Sequence, residues 1–527
     1  MRKGFIVSSG ISSAPFLVLA SLAVFCTTPA TAQDEQRGPI VLRELKNDVS
    51  PPLRDIAVPA QPSTGAPSLA PLARPTGPII TSSERDIVAQ TPSGPSTAIT
   101  TGFNFDGQNA DNIAPPDTNG AVGATQFVQW VNLEYNIYDK TTGGKMLGPI
   151  QGNSFWSGFG GPCEIRNDGD PIIQYDKAAN RWVAAQPVFA APYMYCMAVS
   201  TTSDATGSYN RYAFSFGTVD LPDYPKLGVW PDAYYASFNI FQNGKKFMGA
   251  RACAFDRTNM LAGNPAQMIC FQQPPEIASL LPSDLDGSTP PPAGEPDFFM
   301  DLADSSHLNL FQFHADFGSP ESSTFTGPAL IPVAPFSEIC ARPASLACIP
   351  EPRPGGKVDT ISDRLMYRLA YRNFGDHESL VVNHTVAGGP LAGVRWYEIR
   401  SPRSDPFVFQ QGTVVDPTKN FWMGSIAMDK AGDMALGFSA SSTTLDPSVM
   451  LAGRMPTDPM GTMESPVTLA PGTGTQRGTF HRWGDYSSMG VDPVDDCTLW
   501  YTQEYYKTTG SFNWSTRITS FKFPSCQ

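Results

Sequence analysis

The chain has 527 residues and carries 36 Lys and Arg against 49 Asp and Glu, a formal net charge of −13. Without a basic stripe, that balance argues against nucleic acid and against anionic membrane surfaces, and it makes cations the natural small partners. Fifty Pro and 46 Gly beside 41% hydrophobic residues describe a turn-rich β protein with a real core.

In chain order, residues 1–32 are expected to be an export signal. Arg2 and Lys3 supply positive charge, and Pro15 to Phe25 is an apolar run too short to span a bilayer. Ala30-Thr31-Ala32 is a small-residue cleavage site, so the mature chain begins at Gln33. Phe25 is too bulky to precede a lipidated Cys26. No later run is long and apolar enough for a transmembrane helix. The expected location is therefore secreted, extracellular or periplasmic, with no membrane insertion. Residues 33–99 are rich in Pro, Ser and Thr and read as a disordered leader.

From 100 to 527 strand patterns dominate. Aromatic and β-branched runs such as FVQWVNLEYNIYD (127–139), LVVNHTV (380–386) and RITSFKF (517–523) are bounded by Gly, Pro, Asn and Asp. DRLMYRLAYR (363–372) is ambiguous, because Arg364, Arg368 and Arg372 share a face in a helix and in a strand; the alternation of Tyr367, Leu369 and Tyr371 assigns it to a strand. Seven short stretches resemble one another: PPDTNGAVG (115–123), NDGDPIIQYD (167–176), VWPDAYYASFN (229–239), EPDFFM (295–300), NFGDHESLVV (373–382), FWMGSIAMD (421–429) and RWGDYSSMGVD (482–492). They align Asp117, Asp170, Asp232, Asp297, Asp376, Gly424 and Asp485. Roughly 40–50 residues make a four-stranded blade, and longer intervals hold inserted loops. The expectation is an all-β, seven-bladed β-propeller over 100–527, with ITTGFNF (99–105) supplying the strand that closes the ring. Two sandwiches are the alternative. A second signature, in YDKTTGGK (138–145), YDKAANRWV (175–183), MDKAGDMALG (428–437) and VDPVDDCTLWY (491–501), places an Asp where it accepts turn N–H groups.

Nine cysteines less Cys26 leave an even set, which in an exported chain reads as a disulfide framework. On the order of 100 pairings are possible. Local closure favours Cys163 with Cys196, Cys253 with Cys270, Cys340 with Cys348 and Cys497 with Cys526.

In a propeller the innermost strands line a channel and their preceding loops meet at one mouth. Six carboxylates gathered there would repel unless protonated, hydrogen-bonded or bridged by a cation. Calcium held by Asp117, Asp170, Asp232 and Asp297 is one reading; Asp residues that each cap their own loop are the other. The calcium-like fragments Asp284-Leu285-Asp286-Gly287 and Asp106 to Asp111 lack the bidentate Glu of an EF-hand loop. Asp376, His377 and Glu378 form the densest titratable group and, with Asp485, could serve acid–base hydrolysis; alternatively His377 and Glu378 only flank a strand start. Trp230, Tyr234, Trp422, Arg482, Trp483 and Tyr486 lie beside the aligned acids and suit a sugar or peptide face, or blade packing. No nucleophile elbow, zinc helix or phosphate-binding Gly loop is present in the sequence.

On PPDTNGAVG (115–123), NSFWSGFGGPC (153–163), NDGDPIIQYD (167–176), DYPKLGVWPDAYYASFN (223–239), YRNFGDHESLVVNHTV (371–386), WMGSIAMDKAGDMALGFS (422–439) and RWGDYSSMGVDP (482–493), the chain resembles a group of uncharacterised secreted bacterial proteins with propeller-type repeats. It is more loosely similar to sialidase-like propellers, without their Asp-box consensus. The resemblance implies a fold and no established activity. The expected function is that of a monomeric, non-catalytic recognition protein whose propeller mouth binds a glycan, a peptide or a protein surface. The alternative is an extracellular glycoside hydrolase or polysaccharide lyase.

Overall fold

The computed structural model describes residue 1 and residues 38–60, 68–69, 80–82, 86–110, 113–341, 347–478 and 481–527, apart from a few positions within 86–110. The expected export signal lies outside the described residues. The sheets belong to one compact unit, Gly38–Gln527.

Seven four-stranded antiparallel meanders, here I to VII, follow one another among the described residues. Their first strands are Asn119–Val122 (I), Ile172–Asp176 (II), Asp220–Val229 (III), Leu281–Asp286 (IV), Met366–Asn373 (V), Asn420–Met428 (VI) and Ser488–Val491 (VII). These first strands touch in cyclic order, I with II through to VI with VII, and VII again with I. Between IV and V the contact becomes a parallel ladder, Ser283 to Asp286 against Leu369 to Arg372. Apolar layers fill the spaces between neighbouring sheets, and Phe127 and Tyr138 of I with Trp500 and Ile518 of VII close the last gap. The architecture is all-β and propeller-like.

Closure is made by the chain's own early part. Thr100–Asn109 pairs antiparallel with Ser515–Lys522 as the fourth strand of VII, as expected for the 99–105 segment. The segment before it departs from the expectation of a disordered leader. Ile40–Arg43 adds a fifth strand to III, Lys46–Val49 adds one to II, and Pro59 bridges to Ile150 at the edge of I. Ala89–Gln90 runs parallel to the last strand of V, and Ser96 bridges to Ser465 beside VI. Unpaired edge strands demand cover, and this polar, Pro-rich chain gains its order by pairing with edges rather than by burying a core of its own. Residues 33–37, 61–67, 70–79, 83–85 and 91–93 lie outside the described residues.

What recurs before the first strands is a backbone conformation more than an acid. Asp117, Asp170, Tyr224, Ser279, Met423 and Asp485 have φ between 51° and 60°. In III and VI this left-handed residue sits at a break in the ladder, between Asp223 and Lys226 and between Trp422 and Ser425. Asp tolerates that region better than most residues, which is why it recurs without being required. Gly424, the odd residue in the aligned set, has a packing reason: a Cβ there would lie 2.4 Å from Asn383 Oδ1.

All four expected disulfides are formed: Cys163–Cys196, Cys253–Cys270, Cys340–Cys348 and Cys497–Cys526. They point to an oxidising compartment. No described helix is long and apolar enough to cross a membrane.

Candidate functional site: a polar column along the channel and its two mouths

The aligned acids divide between the two ends of the first strands. Asp117, Asp170 and Asp485 stand where those strands begin, the upper mouth. Asp232, Asp297 and Asp376 stand in or after the turns where the first strands end, the lower mouth. The expected ring of six is therefore not formed. The upper-mouth acid of III is Asp223, and the sequence held its signal: DYPKLGV (223–229) aligns with DYSSMGV (485–491) residue by residue.

At the upper mouth Asp117, Asp170, Asp223 and Asp485 are all buried, together with Lys226 and Arg364. Burial, reinforced by Asp485 and Asp170, pushes the Asp117 carboxyl well above the usual range. The neighbouring Asp170 carboxyl adds to that rise, while burial raises Asp170 and Asp117 lowers it. Burial also raises Asp223, with Asp170 adding to it and Arg364 and Arg482 opposing. Lys226 is lowered to about 7 by burial, against the pull of Asp170 and Asp117. Its Nζ lies 3.4 Å from the Tyr224 ring centroid and 4.1 Å from that of Tyr486, and donates to Pro225 O at 2.8 Å. Arg482 pairs with Asp485. One oxygen each of Asp117 and Asp223 has no partner.

The middle of the channel is filled. Arg368 holds Asp284 at 2.5 Å and Asp286 at 2.7 Å, and donates to Met489 O at 2.8 Å. Gln174 donates to Asp284 Oδ2 at 3.0 Å. The space left among these first-strand residues is about 20 Å³, too little for any ligand beyond a water molecule. The two acids of the fragment 284–287 are thus taken by arginine and by Lys177. Asp106, of the other calcium-like fragment, pairs with Lys507 and Arg517, while Asp111 lies outside the described residues.

At the lower mouth three basic side chains are paired with carboxylates. Lys177 meets Asp286, Arg257 forks onto Asp176 at 2.6 and 3.0 Å, and Arg372 forks onto Asp496 at 2.9 and 2.7 Å. Burial would raise Asp286, but Arg368, Lys177 and Arg372 outweigh it and hold the carboxyl below the usual range. A cavity of about 270 Å³ opens here, with Lys177, Trp230, Arg257, Leu285, Ser288 and Asp496 in its lining.

The expected site residues fall as follows. Asp117 and Asp170 come together; Asp232 and Asp297 neighbour each other at the other end, where Asp232 accepts from Tyr235 OH at 3.1 Å and Asp297 from Ser283 Oγ at 3.0 Å. The four acids proposed as calcium ligands do not form one site, and among the described residues no group of three or more His, Cys, Asp or Glu is placed to hold a metal ion. Asp376, His377 and Glu378 occupy a turn at the far end of V. The Asp376 side chain is 83% exposed and accepts from His377 Nδ1 at 2.7 Å, while Tyr371 OH donates to Glu378. The first strand of V spans eight residues, about 23 Å at 3.3 Å each, and separates this group from Asp485. These four residues cannot act on one bond. Trp230 lines the lower cavity and Tyr234 donates to Asp176 Oδ2 at 3.0 Å beneath it. Arg482 and Tyr486 belong to the upper mouth. Trp422 and Trp483 pack together in the core, their ring centroids 5.6 Å apart. Lys177, Asp286, Arg368 and Arg372 were missed as a group, although the arginines' spacing of four on one strand face was visible.

The chain matches no protein-family profile and no curated relative. Among solved structures it is similar to the WD40 domain of SCAP from fission yeast, at 8% identity and a TM-score of 0.32, over 75% of this chain and 81% of that one. A DUF4623 family protein from Bacteroides eggerthii aligns at 8% identity and a TM-score of 0.30, over 82% and 77%. The endo-arabinase of Bacteroides thetaiotaomicron aligns at 9% and 0.27, over 66% and 92%. At these scores the likenesses carry no argument, and the propeller-like assignment rests on the strand pairing and cyclic contacts.

Proposed function

We propose that the seven meanders are the blades of a seven-bladed propeller, that the protein belongs with the secreted propeller-repeat proteins its motifs resemble, and that it is an exported, non-catalytic recognition protein. Its ligand, a glycan or a peptide segment, docks at the lower mouth. The observation that carries this reading is the plugged channel. Arg368, clasped by Asp284 and Asp286, bars the axis, so a ligand is received at a mouth. The lower one has an open cavity with Trp230 at its wall, rimmed by ion pairs that keep its loops fixed. A preformed, mainly apolar cavity with a few placed polar groups is the ordinary form of a ligand site.

The hydrolase reading has one observation on its side, the neighbouring buried carboxyls of Asp117 and Asp170, the kind of couple that acid–base chemistry uses. One experiment separates the two. Purified protein is titrated calorimetrically with oligosaccharide and peptide panels, with calcium and with chelator, while released product is assayed. Ala178 is an exposed turn residue lining the lower cavity. Ala178→Trp is expected to weaken binding at least tenfold with an unchanged melting temperature and no turnover in either protein. Turnover that disappears in Asp170→Asn would replace the recognition reading by the hydrolase one.

A further inference from the structure

Outside the seven meanders, a short hairpin of Ala347–Pro350 and Lys357–Asp359 is pinned against segments of VI and VII. Ser441 Oγ donates to Pro350 O at 2.8 Å, Gln476 N to Glu351 Oε1 at 3.0 Å and Asp359 N to His481 O at 2.7 Å. His481 Nδ1 donates to Lys357 O at 2.8 Å. Beside this hairpin lies a cavity of about 740 Å³, lined among others by Glu351, Arg353, Gly356, Lys357, Thr443 and His481.

The lining carries more basic than acidic side chains. The chain carries −13, yet three basic side chains surround the cavity, and neither Arg353 nor Lys357 makes an ion pair with any described residue. Elsewhere along the channel, basic groups are spent on acids, as Arg257 and Arg372 are. The one acid, Glu351, is 4% exposed, and its Oε2 has no partner. Burial first, with Asp446 adding, pushes that carboxyl up to about 7, against the N–H groups of Gln476 and Gly356. At neutral pH its negative charge is therefore only partial. A buried carboxyl with an unused oxygen, next to unpaired cations, is a polar recognition surface awaiting its complement.

We propose that this cavity binds an acidic oligosaccharide through its carboxylate or sulfate groups. The guanidinium of Arg353 offers the planar fork that such groups accept, Lys357 offers a point charge, and Glu351 and Thr443 offer hydrogen bonds to hydroxyls. The volume exceeds what a lone anion fills, and the lining has no Phe, Tyr or Trp side chain to hold a peptide's apolar residues. The site is separate from the lower mouth and does not rest on that reading.

The test is calorimetric titration of the full chain with tetragalacturonate, a sulfated tetrasaccharide of chondroitin type, a neutral dextran tetrasaccharide and sodium sulfate, at pH 6.5 and moderate salt. One or both acidic sugars are expected to bind, and the tighter arm names the anionic group. Arg353→Gln with Lys357→Gln, at two exposed positions, is expected to weaken binding at least tenfold without moving the melting temperature. Lys357→Arg is expected to retain it, and Ala178→Trp to leave it unchanged. Equal binding of the neutral sugar, unchanged binding in the double variant, or sulfate binding as tightly as either sugar, an adventitious ion only, would overturn the proposal.

Discussion

The two mouths of the channel are built from the same residue types and solve the same electrostatic problem in opposite ways. At the lower mouth, long basic side chains reach across the axis, and each meets a carboxylate in a pair or fork, so Asp286 ionises more readily than usual. At the upper mouth, four acids crowd together, and burial raises the carboxyls of Asp117 and Asp223 and lowers the Lys226 amine to about 7. Burial alone does not set the ionisation of a channel-lining group. What decides is whether an opposite charge arrives within hydrogen-bonding distance.

The comparison breaks first at Arg368. Arg368→Gln leaves Asp284 buried without its cation and Asp286 with Lys177 as its paired cation, and is expected to cost about 3–5 kcal/mol of unfolding free energy at pH 7. Because the folded-state value of Asp286 is depressed, its contribution is present above the ordinary carboxylate range and is lost as pH falls through the lowered value. The deficit of the variant should therefore shrink in acid. Denaturant melts at neutral and acid pH measure both, and a pH-independent deficit below 1 kcal/mol would show that the plug is not electrostatic.

The opposite sign is expected above. Asp117 and Asp223 have raised folded-state values, so their contribution is complete below the ordinary carboxylate pKa and is lost as pH rises through the folded value. Asn imitates the protonated form. Asp117→Asn and Asp223→Asn should be near neutral at about pH 3 and stabilising by about 1–2 kcal/mol or more at about pH 9. Equal destabilisation at both pH values would mean that the carboxylates are ionised in the folded protein.

The smallest effect is expected at the edge of the lower mouth. His377→Ala removes a ring stacked on Phe374 in an exposed turn and should change stability by no more than about 0.5 kcal/mol and leave ligand binding intact. Loss of binding in that variant would extend the lower site outward along V.

Much of this was legible in the residues. The recurrent turn signature works as read: Asp139 accepts from the N–H groups of Thr141 and Thr142, Asp176 from Ala179, Asp429 from Ala431 and Asp492 from Val494. These are contacts within a few residues, set by the local chain. The same locality made the acids misleading, because a polar residue before a β-prone run marks the start of any strand, first or second. Asp232 and Asp297 precede second strands, and only pairing reveals which strand is innermost.

The sequence by itself determined the all-β class, the turns, the closing strand at 100–109 and the four cysteine pairs, because alternation, turn chemistry and short loop closure act over short stretches of chain. Only the tertiary structure decided which acids share a mouth, that Arg368 bars the axis, that residues 40–59 pair with the edges of I to III, and where Arg353 and Lys357 stand without an ion pair among the described residues. Each of those depends on side chains or edges brought together from meanders far apart in the chain, and their charges and hydrogen bonds take effect only once the ring has closed around them.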